Sequence, residues 1–507
     1  MKISFVVLED ENLGVETLSS YLKKNGHLVD LIFDPKQFNK AYMRKEILAK
    51  FFDWQALNLE ELKRQKPDLI AFSCVTATYP SALEFAKKVK STLNIPIIFG
   101  GVHPTLVPEV VMENDFIDMV CVGEGEEALL ELANSLERGE KRIDIKNIWF
   151  RQKGKIIKNN IRMLEQNIDK YDMDRELFFN KLPSNYREWA YFICSRGCPF
   201  NCTYCGNEQK RKIYAGAGNY VRQKSVGQTI KELQHLKRLG TKHVLFVDDV
   251  LTMNKKWFIE FMRRYKKEIN LPFTCFVHAK LFNEELAKIL KDCGCHLVWY
   301  GIQTGSEEVR KKILNRYESN EEIKTAARIC HKYKLKFMVD HIFDIPYDNN
   351  IKESLKLYNA IKPDMINCYN LLYFPSSKIL EHAIKANILA KNDIEKINRG
   401  QGIVYQTGGL SAQSQDVRNN YAKYVLLITL IPILPKKFVD KVIKDDRWMR
   451  FFQKMPIFII PILKVFLNFR VNHGFLLWTV IKTELYWTRK FILKKIEYKL
   501  ADIGIKD

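Results

Sequence analysis

The chain has 507 residues, 47% of them hydrophobic and 28% charged, and it carries a formal net charge of +22. This length is too great for one ordinary hydrophobic core, so we expect two or three domains of a globular protein. The charge calls for an anionic partner or surface, which could be nucleic acid, anionic lipid or an acidic substrate. Residues 1–9 turn acidic too early for a secretory signal and are typical of a β-strand. The eleven cysteines are therefore expected in a reducing, cytoplasmic compartment, as metal ligands or buried thiols instead of a disulfide framework.

Residues 1–145 alternate short apolar runs with amphipathic runs. This pattern predicts a doubly wound, Rossmann-like parallel α/β sheet. The predicted strands are residues 3–8, 28–33, 69–73, 97–99 and 119–122. Helices such as 15–25 and 79–93 are predicted between them. Open sheets of this kind bind ligands beyond the carboxyl ends of their strands.

Small and polar residues follow three of these strands: Ser73 and Thr76, then Gly100 and Gly101, then Gly123, Glu124 and Gly125. Glycine at such a position lets the backbone approach a bulky ligand, and a helix that begins there can hold a phosphate. In order and spacing these segments resemble the cobalamin-binding domain that precedes many radical S-adenosylmethionine (SAM) enzymes. The resemblance implies that these seven residues contact cobalamin and that its nucleotide tail enters the sheet pocket. The alternative is a flavodoxin-like domain that binds another nucleotide or none.

One loop departs from that family's pattern. Many cobalamin-binding domains carry a D-x-H-x-x-G loop after the first strand, and its histidine binds cobalt. Here the loop runs from Asp10 to Gly14, and Asn12 stands where the histidine would be. We therefore predict that no protein histidine lies beneath cobalt. His103, after the Gly100-Gly101 turn, is expected to be structural.

A second α/β alternation extends over residues 188–390, after a linker of residues 146–187. Six strands are predicted, at residues 191–194, 243–247, 273–277, 296–302, 337–345 and 368–374. Amphipathic helices are predicted between them, for example at 226–239, 283–292 and 320–333. Six such units form a partial (β/α)6 barrel, whose chemistry is expected at the carboxyl ends of the strands.

Three cysteines, Cys198, Cys202 and Cys205, stand close together directly after the first of these strands. Three thiolates can hold three irons of a four-iron cubane, whereas a structural zinc site needs four ligands. The C-x3-C-x2-C spacing resembles the signature of radical SAM enzymes. The resemblance implies a [4Fe-4S] cluster whose open iron binds SAM, which is cleaved to a 5′-deoxyadenosyl radical. It also implies an electron donor such as flavodoxin or ferredoxin.

Further residues match the SAM-binding pattern of that family. Asp248 and Asp249 end the second barrel strand, where a carboxylate suits the amino group of SAM, although an aspartate there could also cap a helix. The segments around Gln303 and Arg316 resemble a G-x-E-S-G-S…L-x-R pattern, with Arg316 as the candidate for the SAM carboxylate. Tyr204 is expected beside the adenine or, alternatively, in the core.

Other features of the barrel are assigned no ligand. The family usually has a glycine-proline motif at the fifth strand, and Asp344 stands here where glycine is common. Cys293 and Cys295 lack nearby partner ligands and are expected to be buried thiols. Cys194 lies on a strand and is not expected to bind the cluster.

The remaining residues, 391–507, are predicted to form a mainly helical region. From Gln415 to Asp507 there are 18 Lys and Arg against 8 Asp and Glu, an excess of ten positive charges. Its apolar runs are shorter than the roughly 20 residues that a bilayer span requires. Apolar residues alternate with cations, which suits either a segment at the inner surface of a membrane or a helical cap on the barrel. Nucleic acid is not expected as a partner, since the cations form no continuous polar patch.

The sequence as a whole predicts a cobalamin-dependent radical SAM enzyme. The resemblance implies methylation of an unactivated carbon in a small or lipid-like substrate, through methylcobalamin and a 5′-deoxyadenosyl radical. An oxidative cyclase or a rearrangement enzyme is the alternative within the family. A sensor that holds cobalamin and a redox-active cluster without catalysis is the alternative outside it. A methylthiotransferase is excluded, because residues 1–145 contain only Cys74 and Cys121 and lack a second cysteine triad.

Overall fold

The structure is a computed structural model that describes residues 1–40, 43–44, 46–401, 424–455 and 475–502, with the single positions 463, 466, 467 and 471. The first domain contains strands β1 (Lys2–Leu8), β2 (Leu28–Asp34), β3 (Asn39–Lys40), β4 (Met43–Arg44), β5 (Leu69–Ser73), β6 (Ile97–Gly100), β7 (Met119–Cys121), β8 (Ile148–Gln152) and β9 (Lys155–Ile157). Its helices are α1 (Leu13–Lys24), α2 (Glu46–Phe51), α3 (Trp54–Gln65), α4 (Tyr79–Thr92), α5 (Val102–Leu106), α6 (Pro108–Met112) and α7 (Glu126–Glu137).

Seven of these strands form one sheet in the order β2-β1-β5-β6-β7-β8-β9. The first five in that order are parallel, and β8 and β9 add an antiparallel edge. Apolar side chains fill both faces of the sheet, which explains the nearly continuous apolar runs of its strands. The predicted parallel sheet is confirmed. It extends beyond residue 145 into the segment that was assigned to the linker.

Two short helices, α8 (Arg175–Phe179) and α9 (Ser184–Glu188), lead into the second domain. Its strands are β10 (Trp189–Phe192), β11 (Ser195–Arg196), β12 (Arg222–Gln223), β13 (His243–Phe246), β14 (Phe273–Phe276), β15 (Cys295–Gln303), β16 (Lys336–Phe343) and β17 (Met365–Asn370). Its helices are α10 (Gly206–Ile213), α11 (Val226–Arg238), α12 (Lys255–Glu268), α13 (Glu284–Asp292), α14 (Glu307–Lys312), α15 (Asn320–Lys332), α16 (Ile351–Ile361), α17 (Ile379–Lys385) and α18 (Asp393–Asn398).

Six parallel strands form the barrel sheet in the order β10-β13-β14-β15-β16-β17. This confirms the predicted six-unit partial barrel. The last strand begins and ends earlier than predicted, because the chain leaves the sheet after Asn370 and Tyr373 packs into a separate apolar cluster. The hairpin of β11 and β12 brackets the three cysteines.

The described part of the tail contacts both domains. It contains α19 (Lys436–Lys444), α20 (Asp446–Lys454) and α21 (Phe475–Asp502). Residues such as Val425, Ile428 and Val439 are buried in the barrel core, whereas Trp487, Phe491 and Tyr498 of α21 are buried in the core of the first domain. Within these described residues no helix has both the length and the apolar character that a bilayer span needs.

Candidate active site

A cavity of about 620 Å³ lies where the strand ends of the two domains face each other. The first domain contributes the carboxyl ends of β1, β5, β6 and β7, with Ser73, Gly100, Gly101, Gly123, Glu124 and Gly125 in the wall. The barrel contributes Ile193, Arg196, Tyr214, Tyr220, Arg222 and Asp249. Strand order reverses between β1 and β5, and such switch points are where open α/β sheets bind ligands. The structure therefore brings six of the seven residues predicted to contact cobalamin into one wall.

The turn after β6 requires glycine. Gly101 has φ of +101°, and a Cβ atom there would lie 2.6 Å from the carbonyl oxygen of Cys74. Both the positive φ and the close approach exclude a side chain. The ends of β5 and β6 therefore lie close together, and the backbone of this turn forms part of the cavity wall.

Thr76, the seventh predicted residue, is not part of the cavity wall. Its hydroxyl lies 3.3 Å from Nδ1 of His103. His103 is fully buried with its ring centroid 4.1 Å from that of Tyr79, and burial lowers the pKa of His103 to about 3. The structure thus places His103 inside the domain as a neutral, packed side chain, and its structural role stays a prediction.

The loop between β1 and α1 uses Asn12 for local structure. Its Oδ1 accepts a hydrogen bond from the backbone of Val15 (3.0 Å) and so caps α1, and its Nδ2 donates to Ser73 Oγ (3.3 Å). No histidine lines the described part of the cavity. Asn12, which stands at the position of the family's cobalt ligand, therefore makes its hydrogen bonds within the protein.

Glu124 joins the two domains. Its carboxylate accepts hydrogen bonds from Arg222 at 2.5 and 3.0 Å and forms an ion pair with Arg196 at 3.0 Å. Arg196 also pairs with Glu126 at 2.5 Å. Burial opposes ionisation of Glu124, but the two arginines outweigh it and hold the pKa of Glu124 below its usual value. Glu124 is thus an interdomain contact as well as part of the cavity wall.

The three cysteines lie on the loop between β11 and α10, and all three are free thiols. Cys198 is buried, while Cys202 and Cys205 are partly exposed. Arg211 supports the loop, since its Nη2 donates to the carbonyl oxygens of Cys198 and Phe200. Within the described residues no group of three metal-ligating side chains is already assembled.

Burial raises the pKa of the Cys198 thiol to about 12 and also raises that of Cys202, which Arg316 partly offsets. These thiols are therefore protonated at neutral pH in the absence of a metal, and metal binding would release their protons. Cys194 has a different role, because it is fully buried and its thiol donates to Asp248 at 3.2 Å. Cys194 thus lies apart from the three loop cysteines, and its thiol is bound to Asp248.

The two aspartates after β13 have different surroundings. The carboxylate of Asp248 is buried and accepts hydrogen bonds from the backbone N–H of Cys194 (3.1 Å) and from the hydroxyl of Ser195. Asp249 is exposed to the cavity, and its Oδ1 accepts from Asn207 Nδ2 at 3.0 Å. Asp248 therefore fastens the end of β13 to the segment where β11 begins, whereas Asp249 is available to a ligand.

Arg316 reaches the three-cysteine loop from the segment after β15. Its Nη1 lies 3.8 Å from Cys202 Sγ and 3.3 Å from the hydroxyl of Tyr204. Its Nε donates to the buried carboxylate of Glu318 at 2.6 Å, and its Nη2 donates to the carbonyl oxygen of Gly301 at 2.8 Å. The guanidinium is thus fixed on two sides with one edge toward the cysteines. The structure thus brings Tyr204, Arg316 and Cys202 together, and their contacts with SAM stay a prediction.

Gln303 lies at the carboxyl end of β15 with φ of +70°. Its Oε1 is buried and has no hydrogen-bond partner among the described residues. A buried amide oxygen without a partner is costly, which is a reason to expect a donor from a ligand there.

Sequence reasoning missed several residues of this site: Arg196, Asn207, Tyr214, Tyr220, Arg222 and Glu318. Tyr220 donates to Asn207 (2.7 Å), which in turn contacts Asp249. Arg196 was detectable, because it directly precedes the glycine before Cys198. Arg222 was not, because its partner Glu124 lies 98 residues away in the chain.

Comparisons with known proteins identify this arrangement. Residues 6–133 match the sequence profile of the B12 binding domain, and residues 192–357 match that of the Radical SAM superfamily. An uncharacterized methyltransferase of Pyrococcus horikoshii is 30% identical over 369 residues, which are 69% of this chain and 78% of the relative. The chain belongs to the cobalamin-dependent radical SAM enzymes. Its cofactors are a [4Fe-4S] cluster, SAM and cobalamin.

Two further similarities are more distant. The anaerobic magnesium-protoporphyrin IX monomethyl ester cyclase of Cereibacter sphaeroides is 24% identical over 68% of this chain and 54% of the relative. The solved structure of the cobalamin-dependent SAM radical enzyme OxsB covers 100% of this chain and 81% of its own, with a TM-score of 0.64 and 18% identity. The structural likeness confirms the fold of the radical SAM enzyme.

The residues present fit the three cofactors of the family. Three free thiols on one loop are the donors that a cubane with an open iron requires. The buried Oε1 of Gln303 and the fixed edge of Arg316 leave polar atoms for a ligand with amino-acid groups. The cavity beside Gly101 presents a backbone wall to a large planar ligand.

Proposed function

We propose that this enzyme transfers a methyl group to an unactivated carbon of a small or hydrophobic substrate. One observation carries the proposal: a single cavity of about 620 Å³ is lined both by the strand ends of the cobalamin-binding domain and by barrel residues beside the cysteine loop. Methyl transfer and hydrogen abstraction from the same carbon need both cofactors to reach one substrate. Cobalamin, when bound, supplies a cobalt centre that can accept and pass on a methyl group.

The name of the more similar relative supports methyl transfer. The relative with 30% identity, which this chain covers over 78% of its length, is named a methyltransferase. The cyclase relative is less similar, and this chain spans about half of its length. Methylation is therefore the first candidate, and oxidative cyclisation is the second.

In this proposal the chain's own residues bind and orient the ligands. Cys198, Cys202 and Cys205 hold the cluster. Arg316 binds the carboxylate of SAM, and Asp249 accepts a hydrogen bond from its amino group, because each presents the charge opposite to its partner. Gln303 and Tyr204 contact the remainder of SAM. An electron donor such as flavodoxin or ferredoxin supplies the reducing electron.

The cavity wall also excludes water from the reaction. Phe5, Leu18, Leu129 and Ile193 line it together with the aromatic ring of Tyr214. A radical on carbon must be kept from competing hydrogen donors, and an apolar wall provides few of them. The same wall favours a substrate with substantial apolar surface.

The test is anaerobic reconstitution with iron, sulfide and cobalamin, followed by analysis of the products of SAM. Formation of both 5′-deoxyadenosine and S-adenosylhomocysteine supports methylation. Deoxyadenosine without S-adenosylhomocysteine supports the cyclase alternative. Absence of both products, with cluster and cobalamin bound, would contradict an enzyme and favour the sensor.

A second test concerns the lower face of cobalt. Since Asn12 caps α1 and no histidine lines the described cavity, we expect no protein nitrogen beneath cobalt. The EPR spectrum of bound cob(II)alamin should lack superhyperfine splitting from a protein histidine nitrogen. Splitting that disappears when His103 is replaced would contradict this expectation.

A further inference from the structure

The long C-terminal helix α21 has two faces with different surroundings. On the inner face Trp487 is 2% exposed, and its ring stacks on Phe33 with centroids 5.3 Å apart. Phe491 packs edge-on against Trp54 at 5.4 Å, and Arg64 lies 4.2 Å from the ring centre of Tyr498. This face belongs to the apolar core of the cobalamin-binding domain.

Polar contacts fix the rotation of this helix about its axis. Gln37 Nε2 donates to Thr488 Oγ1 at 2.8 Å, and Lys490 Nζ donates to the carbonyl oxygen of Lys181 at 2.8 Å. Lys494 forms an ion pair with Glu61. Because these contacts hold one side of the helix against the domain, the opposite side must face outward.

The outer face is apolar. Leu485 is 65% exposed and Leu493 is 55% exposed, and Ile481, Ile492 and Ile496 are exposed as well. Residues 481, 485, 492 and 496 recur at helical spacing and form one stripe. Among the described residues nineteen large hydrophobic side chains are exposed, and five of these nineteen lie within residues 481–496. Such clustering differs from the single exposed apolar residues that are normal on a protein surface.

Cations border this stripe. Lys482, Arg489, Lys495 and Lys499 are all exposed. None of Lys482, Arg489 and Lys499 forms an ion pair with a described residue. Long basic side chains can lie along an apolar surface while their charges reach outward. The face therefore combines exposed apolar area with unneutralised positive charge.

The neighbouring helix α2 extends the apolar surface. Phe52, directly after α2, packs against Phe491 with ring centroids 5.1 Å apart. Beside it Phe51 is 71% exposed and Leu48 is 44% exposed. Exposed apolar side chains thus also lie on a second element that packs against α21.

We propose that the outer face of α21, with Leu48 and Phe51 beside it, docks on the surface of an anionic phospholipid bilayer. The helix would lie parallel to the membrane plane, since its inner face remains bound to the cobalamin-binding domain. Apolar side chains would enter the boundary between headgroups and acyl chains, and the bordering cations would attract acidic lipid. A second copy of the chain is a poorer occupant, because it would bring two positively charged faces together. This inference is independent of the proposed reaction.

The experiment is sedimentation of the full chain with vesicles of phosphatidylcholine, with and without phosphatidylglycerol. The wild type should sediment with the anionic vesicles and be partly released by salt. The triple variant L485Q/I492Q/I496Q removes three exposed apolar side chains and should bind about a hundredfold more weakly. These residues are exposed, so circular dichroism and thermal unfolding should match the wild type.

A second variant tests the charges and keeps the proposal falsifiable if the first one misfolds. K482E/R489E/K499E should bind anionic vesicles at least about tenfold more weakly. The matched control is K256E/R263E/K267E, which reverses two lysines and one arginine that are exposed on the barrel helix α12. The control should bind vesicles much more strongly than the α21 variant.

Three results would overturn the proposal. The wild type could fail to sediment with anionic vesicles. Equal loss of binding in the α21 and α12 charge variants would show a nonspecific charge effect. Light scattering could reveal a dimer that L485Q/I492Q/I496Q dissociates, which would assign this face to a second copy of the chain.

Discussion

The two walls of the central cavity are built differently. The wall from the cobalamin-binding domain combines backbone at Gly100, Gly101 and Gly123 with apolar side chains, and its Glu124 is held by two arginines of the barrel. The barrel contributes charged side chains such as Arg196 and Asp249 to the wall, and the cysteine loop with Arg316 lies outside this lining. A large rigid cofactor needs a smooth surface, whereas a small amino-acid ligand needs separate charged partners. The difference indicates which cofactor each wall binds.

The largest expected effect tests the barrel wall alone. Replacing Cys198, Cys202 and Cys205 together with alanine should abolish the visible absorption of the cluster and reduce SAM cleavage to background, because no thiolate remains for iron. Cobalamin binding should persist, since its wall is in the other domain. Iron and SAM cleavage retained by this variant would refute the cluster assignment.

The converse test deforms the other wall. Gly101→Ala places a Cβ atom 2.6 Å from the carbonyl oxygen of Cys74 at a φ of +101°. The strain should shift the turn and weaken cobalamin binding about ten- to hundredfold, while cluster content is unchanged. Gly154→Ala is the control, because Gly154 has a φ of +76° and nothing within 4 Å of the added atom. Equal losses in both variants would mean that backbone strain alone is responsible.

A third test concerns the contact between the walls. Glu124→Gln and Arg222→Gln each leave a partly buried charge without its partner. A double-mutant cycle on urea unfolding of the apo protein should give a coupling energy of about 2 kcal/mol. Additive effects of the two replacements would show that the pair contributes nothing to domain docking.

The two aspartates after β13 sharpen the comparison within the barrel. Asp249→Asn should raise KM for SAM about tenfold with an unchanged unfolding midpoint, because it removes one charge facing the ligand. Asp248→Asn should instead destabilise the fold by about 2 kcal/mol, since Asp248 binds Cys194 and Ser195. A reversal of these two outcomes would exchange the assigned roles.

The smallest expected effect is on pH dependence. The arginines lower the pKa of Glu124, whose ordinary value is 4.5. The ion pairs therefore contribute full stability above about pH 4.5 and lose it as the pH falls through the lowered pKa. X-ray scattering of the apo protein should show a larger radius of gyration in acid. Glu124→Gln should lack this component; an identical transition in that variant would contradict its assignment to Glu124.

For the tail, the sequence alone did not decide between a membrane-surface segment and a cap on the protein. Its alternation of apolar residues and cations predicts an amphipathic segment, which suited either a membrane or the protein itself. In the structure Trp487 is buried in the first domain, while Leu485, two positions earlier, is mostly exposed. The pattern of a helix shows that two faces exist, but only its packing shows which of them is covered.

The sequence by itself determined what depends on near neighbours in the chain. The thiols of Cys198, Cys202 and Cys205 share one loop, and strand ends of parallel units share one edge, so both sheets were predictable from the residues. The cofactors followed from the family that these motifs resemble. Only the tertiary structure decided the pairing of Glu124 with Arg222, which lies 98 residues away. It also separated Asp248 from Asp249, adjacent residues with opposite environments. The physical reason is that a side chain's partner depends on how distant elements pack, and no local spacing encodes that packing.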